Sequence, residues 1–155
     1  GVESRAELTF TDATLARLGA NTIFSFNEGP RNLELGGGAM LLRVPKHAGG
    51  AQIHPAAVTA AITGTTVMLE YHADAYSKFI ILNGTGRIFR RGHTGESVLL
   101  HAGQMLIVNP NAKSLPDPVD VDFKRIVQTT LLLHDFGPIP IIYLLHHAIQ
   151  TQLAQ

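Results

Sequence analysis

The chain has no cysteine, which excludes disulfides, zinc ribbons and thiol nucleophiles. It has no surplus of either charge: Lys plus Arg and Asp plus Glu stand at 12 each. No net field therefore draws it to nucleic acid or to an anionic lipid surface. Charged residues make up only 15% and hydrophobic residues 45%, yet no apolar run approaches the ~20 residues that a membrane-spanning helix needs. The one basic cluster, Arg87, Arg90 and Arg91, is too small for a binding stripe. It reads first as a solvated strand end and second as an anion or partner contact. Gly1 opens without a charged n-region or an apolar h-region, so a leader or membrane anchor is expected only in segments outside these residues.

What is present fits a one-domain length of 155 residues, enough to bury roughly 70% of the surface the unfolded chain exposes. The centre, Pro55 to Asn109, carries four apolar runs of strand character: Val58 to Ile62, Val67 to Tyr71, Lys78 to Leu82 and Val98 to Val108. Gly64-Thr65, Asn83-Gly84, Arg91-Gly92 and Ala102-Gly103 punctuate them with turn or bulge chemistry. A series of β-hairpins is expected here. Asn83-Gly84 is the most specific signal, because two central residues at positive φ suit Asn and Gly. Gly64 is expected to be a bulge or positive-φ position.

Three short strands are expected before this centre, around Leu8 and Phe10, Leu15 to Leu18, and Ile23 to Phe26. Leu-Ala-Arg-Leu is too short to nucleate a helix between two turn signals. Asn32 to Leu35 and Ala39 to Val44 read as strands joined through Gly36-Gly37-Gly38, a triplet that suggests a turn at positive φ or a close backbone approach. Lys46 to Gly50 reads as a loop and Gln52 to His54 as a short extended piece. Pro110, Pro116 and Pro118 mark a connector that cannot be sheet interior. Beyond it, Phe123, Ile126, Val127, Thr130 and Leu131 recur at helical spacing, with Asp120 or Asp122 as the cap. A second apolar stripe follows: Ile141, Leu144, Leu145, Ala148, Ile149 and Leu153. The expected architecture is mainly β, a sandwich or solenoid-like roll of about 10–12 short strands, with a C-terminal helical pair. Residues 1–109 would form the β domain, and 110–155 the connector and helices.

No catalytic constellation is legible. None of the eight histidines (His47, His54, His72, His93, His101, His134, His146 and His147) has a spacing that aims two imidazoles at one ion, and adjacent His146 and His147 would point to different helix faces. Ser25, Ser77, Ser97 and Ser114 lack a nucleophile elbow. The expectation is no enzyme, no metal and no cofactor. Function is then expected through protein contact, with the stripe Ile141, Leu144, Leu145, Ile149 and Leu153 and the open sheet edges as candidate surfaces. Packing of that stripe on its own body is the competing expectation, and truncation after Pro138 separates the two.

Two resemblances bear on this. Tyr71-His72 to Gly86, followed by Gly95 to Asn109, is similar to the two short motifs of the cupins. Only His72 stands where that pattern needs a His pair and a Glu, so the resemblance implies at most a metal-free, cupin-like small-molecule binder. More extensively, SRAELTFTDATLARLGANTIFSF (Ser4 to Phe26), GGGAMLLRVPK (Gly36 to Lys46), PAAVTAAITGTTVMLEY (Pro55 to Tyr71), FIILNGTGRIF and GESVLLHAGQMLIV (within Phe79 to Val108) resemble the FecR-like domain family. Gly64, Thr65, Asn83, Gly84, Gly103 and Gln104 are the turn and motif positions of that resemblance. Where the family commonly has arginine before the Gly-Thr pair, this chain has Thr63. The resemblance implies a non-enzymatic, β-rich bacterial domain, periplasmic or at the cell surface, that senses or signals by contact with another protein. The absence of cysteine agrees with such a location. A structural cell-surface domain is the alternative, and self-association is compatible with either.

Overall fold

A computed structural model describes residues 6–10, 13–19, 21–26, 32–55, 58–122 and 124. Twelve strands follow one another: β1 (Ala6–Thr9), β2 (Leu15–Leu18), β3 (Ile23–Phe26), β4 (Asn32–Val44), β5 (Ala51–Pro55), β6 (Val58–Ile62), β7 (Thr65–His72), β8 (Tyr76–Asn83), β9 (Thr85–Arg90), β10 (His93–His101), β11 (Gln104–Val108) and β12 (Val119–Asp120). The mainly β expectation is met. The expected helical pair lies outside the described residues, apart from its start. There Asp120 is strand, and the Asp122 carboxylate accepts the Lys124 amide at 3.0 Å, as an N-cap does.

The strands make two walls that share β4. The first wall runs β1-β2-β4-β7-β8-β11-β12, and the second runs β3-β4-β5-β6-β9-β10. Within β4, Asn32 to Leu35 pair in parallel with Gln52 to Pro55, while Gly38 to Val44 pair antiparallel with Tyr71 to Thr65. The glycine triplet, expected as a turn between two strands, instead lies inside one 13-residue strand and is where it passes from wall to wall. The close approach does occur, at Gly38. Its φ is +98°, and a Cβ there would stand 2.6 Å from Thr22 Cα. Lys46–Ala48 forms one 3-10 turn.

Hairpins occur at His72 to Tyr76, where Asp74 takes φ +63°, and at Arg91-Gly92, where Gly92 takes φ +77°. The sequence signals at Gly64, Gly84 and Gly103 are not hairpins. β6 pairs with β5 and β9 but its successor β7 pairs with β4 and β8, so the chain changes walls at Gly64. It changes back at Gly84, between β8 and β9, and again at Ala102-Gly103, between β10 and β11. Asn83 ends a strand and only Gly84, at φ +81°, takes a positive φ, so the expected two-residue hairpin turn is replaced by a crossing. A turn glycine supplies the φ that either connection needs, and the partner strands decide which one forms.

Between the walls lies one apolar cluster. Ala16, Leu18, Met40, Leu42, Val44, Val67, Leu69, Phe79, Ile81, Leu106 and Val108 enter it from the first wall. Leu33, Leu35, Ile53, Ala60, Ile62, Ile88 and Leu100 enter from the second. The period-2 alternation of strands puts the intervening side chains on two outer faces.

Candidate functional site

On the outer face of the second wall, Asn32, Gln52, Ala61, Arg87 and Leu99 are successive register partners across β4, β5, β6, β9 and β10. Gly50, Thr63 and Thr85 close one end, and together these residues line an open groove of about 580 Å³. Small Ala61 leaves the floor low in the middle. Arg87 reaches sideways to donate from Nη1 to Ser97 Oγ at 2.8 Å, which fixes its guanidinium along the wall. Leu99 is 40% exposed on β10, the free edge of that wall.

A second row lies beside the groove. Glu34 and His54 are register partners on β4 and β5. With Nε2 carrying the proton, the His54 ring donates to Asn32 Oδ1 while Nδ1 accepts the Thr59 hydroxyl at 2.7 Å. Arg91 spans from the hairpin to Glu34, donating from Nη2 to both carboxylate oxygens at 2.7 Å. Burial, then the nearby Arg91 charge, push the His54 pKa below its ordinary 6.5, against the opposing pull of Glu34. The folded chain thus holds this proton less tightly than the unfolded chain does. The neutral ring's contribution to stability is complete above about pH 6.5 and is lost as the pH falls through the lower folded value. Denaturant midpoints should therefore drop between about pH 7.5 and about pH 5, and His54→Gln should flatten that drop. An unchanged slope in the variant would assign the pH dependence elsewhere.

Two of the three arginines in the basic cluster, Arg90 and Arg91, are paired with carboxylates. Arg90 Nη2 donates to Glu96 Oε2 at 2.7 Å, and that bond is the main cause holding the Glu96 carboxyl below its usual range. The other oxygen of Glu96 accepts the Leu115 amide at 2.9 Å, tying the proline-rich connector to β10.

The motif positions gather at the wall crossings, away from any reactive group. Thr65 Oγ1 donates to Thr63 O at 3.0 Å or Thr85 O at 2.5 Å, stitching the Gly64 crossing to the Gly84 crossing. The Gly103 amide donates to Ile81 O at 2.8 Å, and Gln104 Oε1 accepts the His101 amide at 2.9 Å. Asn83 ends β8 beside them. The stripe Ile141, Leu144, Leu145, Ile149 and Leu153 lies outside the described residues. Among the described residues no three His, Asp or Glu side chains converge as a metal site, and no described helix is long and apolar enough to cross a membrane. Of the groove residues only Arg87 carried a sequence signal, as part of the basic cluster; the others come from separate strands and showed nothing beyond strand alternation.

A family model described as FecR protein matches residues 1–85. Two crystal structures of a candidate anti-sigma factor from Parabacteroides distasonis ATCC 8503 share the fold. One aligns with a TM-score of 0.66 at 16% identity, covering 79% of this chain and 58% of that one. The other aligns with a TM-score of 0.67 at 14% identity, covering 83% and 62%. The chain thus spans about three fifths of their length, and at these identities the likeness is one of fold. No curated protein matches the sequence.

Proposed function

The chain belongs to the FecR protein family, and from that membership together with the open groove we propose a non-enzymatic regulatory domain that binds another protein outside the cytoplasmic membrane. The observation that carries this reading is the trough Asn32–Gln52–Ala61–Arg87–Leu99 leading to the free edge of β10. An extended segment laid against that edge would satisfy its open backbone groups. Leu99 would supply apolar contact there, and Arg87 a charge already held in place. The fold shared with candidate anti-sigma factors supports a place in transcriptional signalling, with the partner a protein of the same apparatus. The groove's volume also falls within the roughly 300–1,000 Å³ of ligand pockets, which favours a metal-free small-molecule binder as the second reading.

The test is made in the native host. Arg87→Glu combined with Leu99→Asp should leave folding intact and change the transcripts of one sigma-controlled gene set severalfold. Normal transcripts at normal protein level would overturn the groove as the contact. Unchanged transcripts after deletion of the whole gene would overturn the regulatory reading itself.

A further inference from the structure

The outer face of the first wall is covered, although every described strand belongs to one wall or the other. Across it runs a row of successive register partners: Glu7, Arg17, Leu41, Met68, Ile80, Met105 and Val119. None of them belongs to the core cluster, whose members alternate with them along β2, β4, β7, β8 and β11. A face turned to water would leave the middle of this row open. Instead Leu41 is 1% exposed, Met68 7%, Ile80 6%, and Leu82, skipped at the register shift beside them, 0%. The row's far end is open, with Val119 51% exposed. Arg17 is buried, with its Nε donating to Glu7 Oε2 at 2.8 Å. The covered part of the row thus runs from Arg17 on β2 across the apolar Leu41, Met68 and Ile80 on β4, β7 and β8, and does not reach β12.

We infer that this face is the docking surface for the chain's own C-terminal segment, residues 125–155, with Ile141, Leu144, Leu145, Ile149 and Leu153 laid over Leu41, Met68 and Ile80. Three features select this occupant. β12 pairs with Gln104 and Met105 at the edge of the same wall, so the chain reaches Lys124 next to the row. From β12 to β4 is four strand spacings, ~19 Å, well within the reach of the residues between Lys124 and Ile141. The stripe from Ile141 to Leu153 is about 20 Å long as a helix, enough to cover the ~10 Å from β8 to β4. The inference is independent of the groove and of the regulatory reading.

The chain's three methionines report on it directly. Met40 is 0% exposed in the core and Met68 is 7% exposed under the cover, while Met105 is half-buried at its margin. Oxidation by hydrogen peroxide, read by mass spectrometry on the full chain, follows the access of each sulfur. Leu144→Asp with Leu145→Asp should speed oxidation of Met68 at least tenfold and leave Met40 slow. An unchanged Met68 rate would overturn the proposal. So would a wild-type Met68 rate that rises on dilution, which identifies a second copy as the cover. If Met40 and Met68 accelerate together, the chain has unfolded, and a disulfide scan in the cysteine-free background decides. Leu145→Cys, paired in turn with L41C, M68C and I80C, should close a bond within one molecule, and Leu145→Cys with L99C on the opposite wall should not. Bonds only between molecules, or none with the row, would refute the docking.

Discussion

Replacing Gly84 by alanine is expected to cost about 3 kcal/mol of folding free energy, and the same change at Gly92 about 1 kcal/mol. Both glycines sit at similar left-handed angles, φ +81° and +77°, so both variants carry the same backbone strain. They differ in what the new methyl meets. At Gly92 nothing lies within 4 Å, whereas at Gly84 the Cβ would collide with the Gly64 carbonyl oxygen and stand 3.2 Å from Thr65 Cα. Backbone on both sides leaves no flexible side chain to give way, so the two wall crossings must separate and weaken the Thr65–Thr85 bond between them. Urea denaturation at constant m-value measures the difference. Equal losses at the two positions would mean that the crossings are not in contact.

Phe79→Ala should cost about 4 kcal/mol, the range for truncating an enclosed aromatic. Phe79 is 0% exposed and faces the space between the walls, with Leu69 and Leu106 as its register neighbours on either side. All three sit on paired backbone in the middle of a wall, where collapse around the cavity is limited. Leu99→Ala, on a 40% exposed side chain, serves as the reference and should stay within about 0.5 kcal/mol. A Phe79→Ala loss near that reference would show that the core is not closed around the ring.

These two residues also mark how far the sequence could be read. Alternation and turn chemistry located the strands: β6 has the bounds Val58 to Ile62 that the apolar run has, and Leu-Ala-Arg-Leu is strand β2. The run Val98 to Val108 divides into β10 and β11 at Ala102-Gly103. Partnership was not legible. Asn83-Gly84 has the same local chemistry whether the next strand returns alongside or crosses to the other wall, and only packing of distant residues decides between them. The groove was hidden for a related reason. Asn32, Gln52, Ala61, Arg87 and Leu99 have no spacing in common, and they meet only through four separate strand pairings. The buried row on the first wall left one visible trace. Met68 and Ile80 sit at positions where a wall facing water would carry polar residues, which made β7 and β8 read as continuous apolar runs.

The sharing of β4 between the walls limits how this family member can drift in length. Loops elsewhere absorb an inserted residue by bulging outward. β4 has pairing partners on both sides in both of its halves, and each half alternates with period 2, its core positions passing from odd (Leu33, Leu35) to even (Met40, Leu42, Val44) across the glycines. One residue gained or lost near Gly36-Gly37-Gly38 would keep one half in phase and turn the other inside out, sending Leu33 and Leu35, or else Met40, Leu42 and Val44, from the core to an outer face. Across relatives, length variation should therefore be absent from this strand, or appear there only two residues at a time, while the hairpin at Arg91-Gly92 is free to grow.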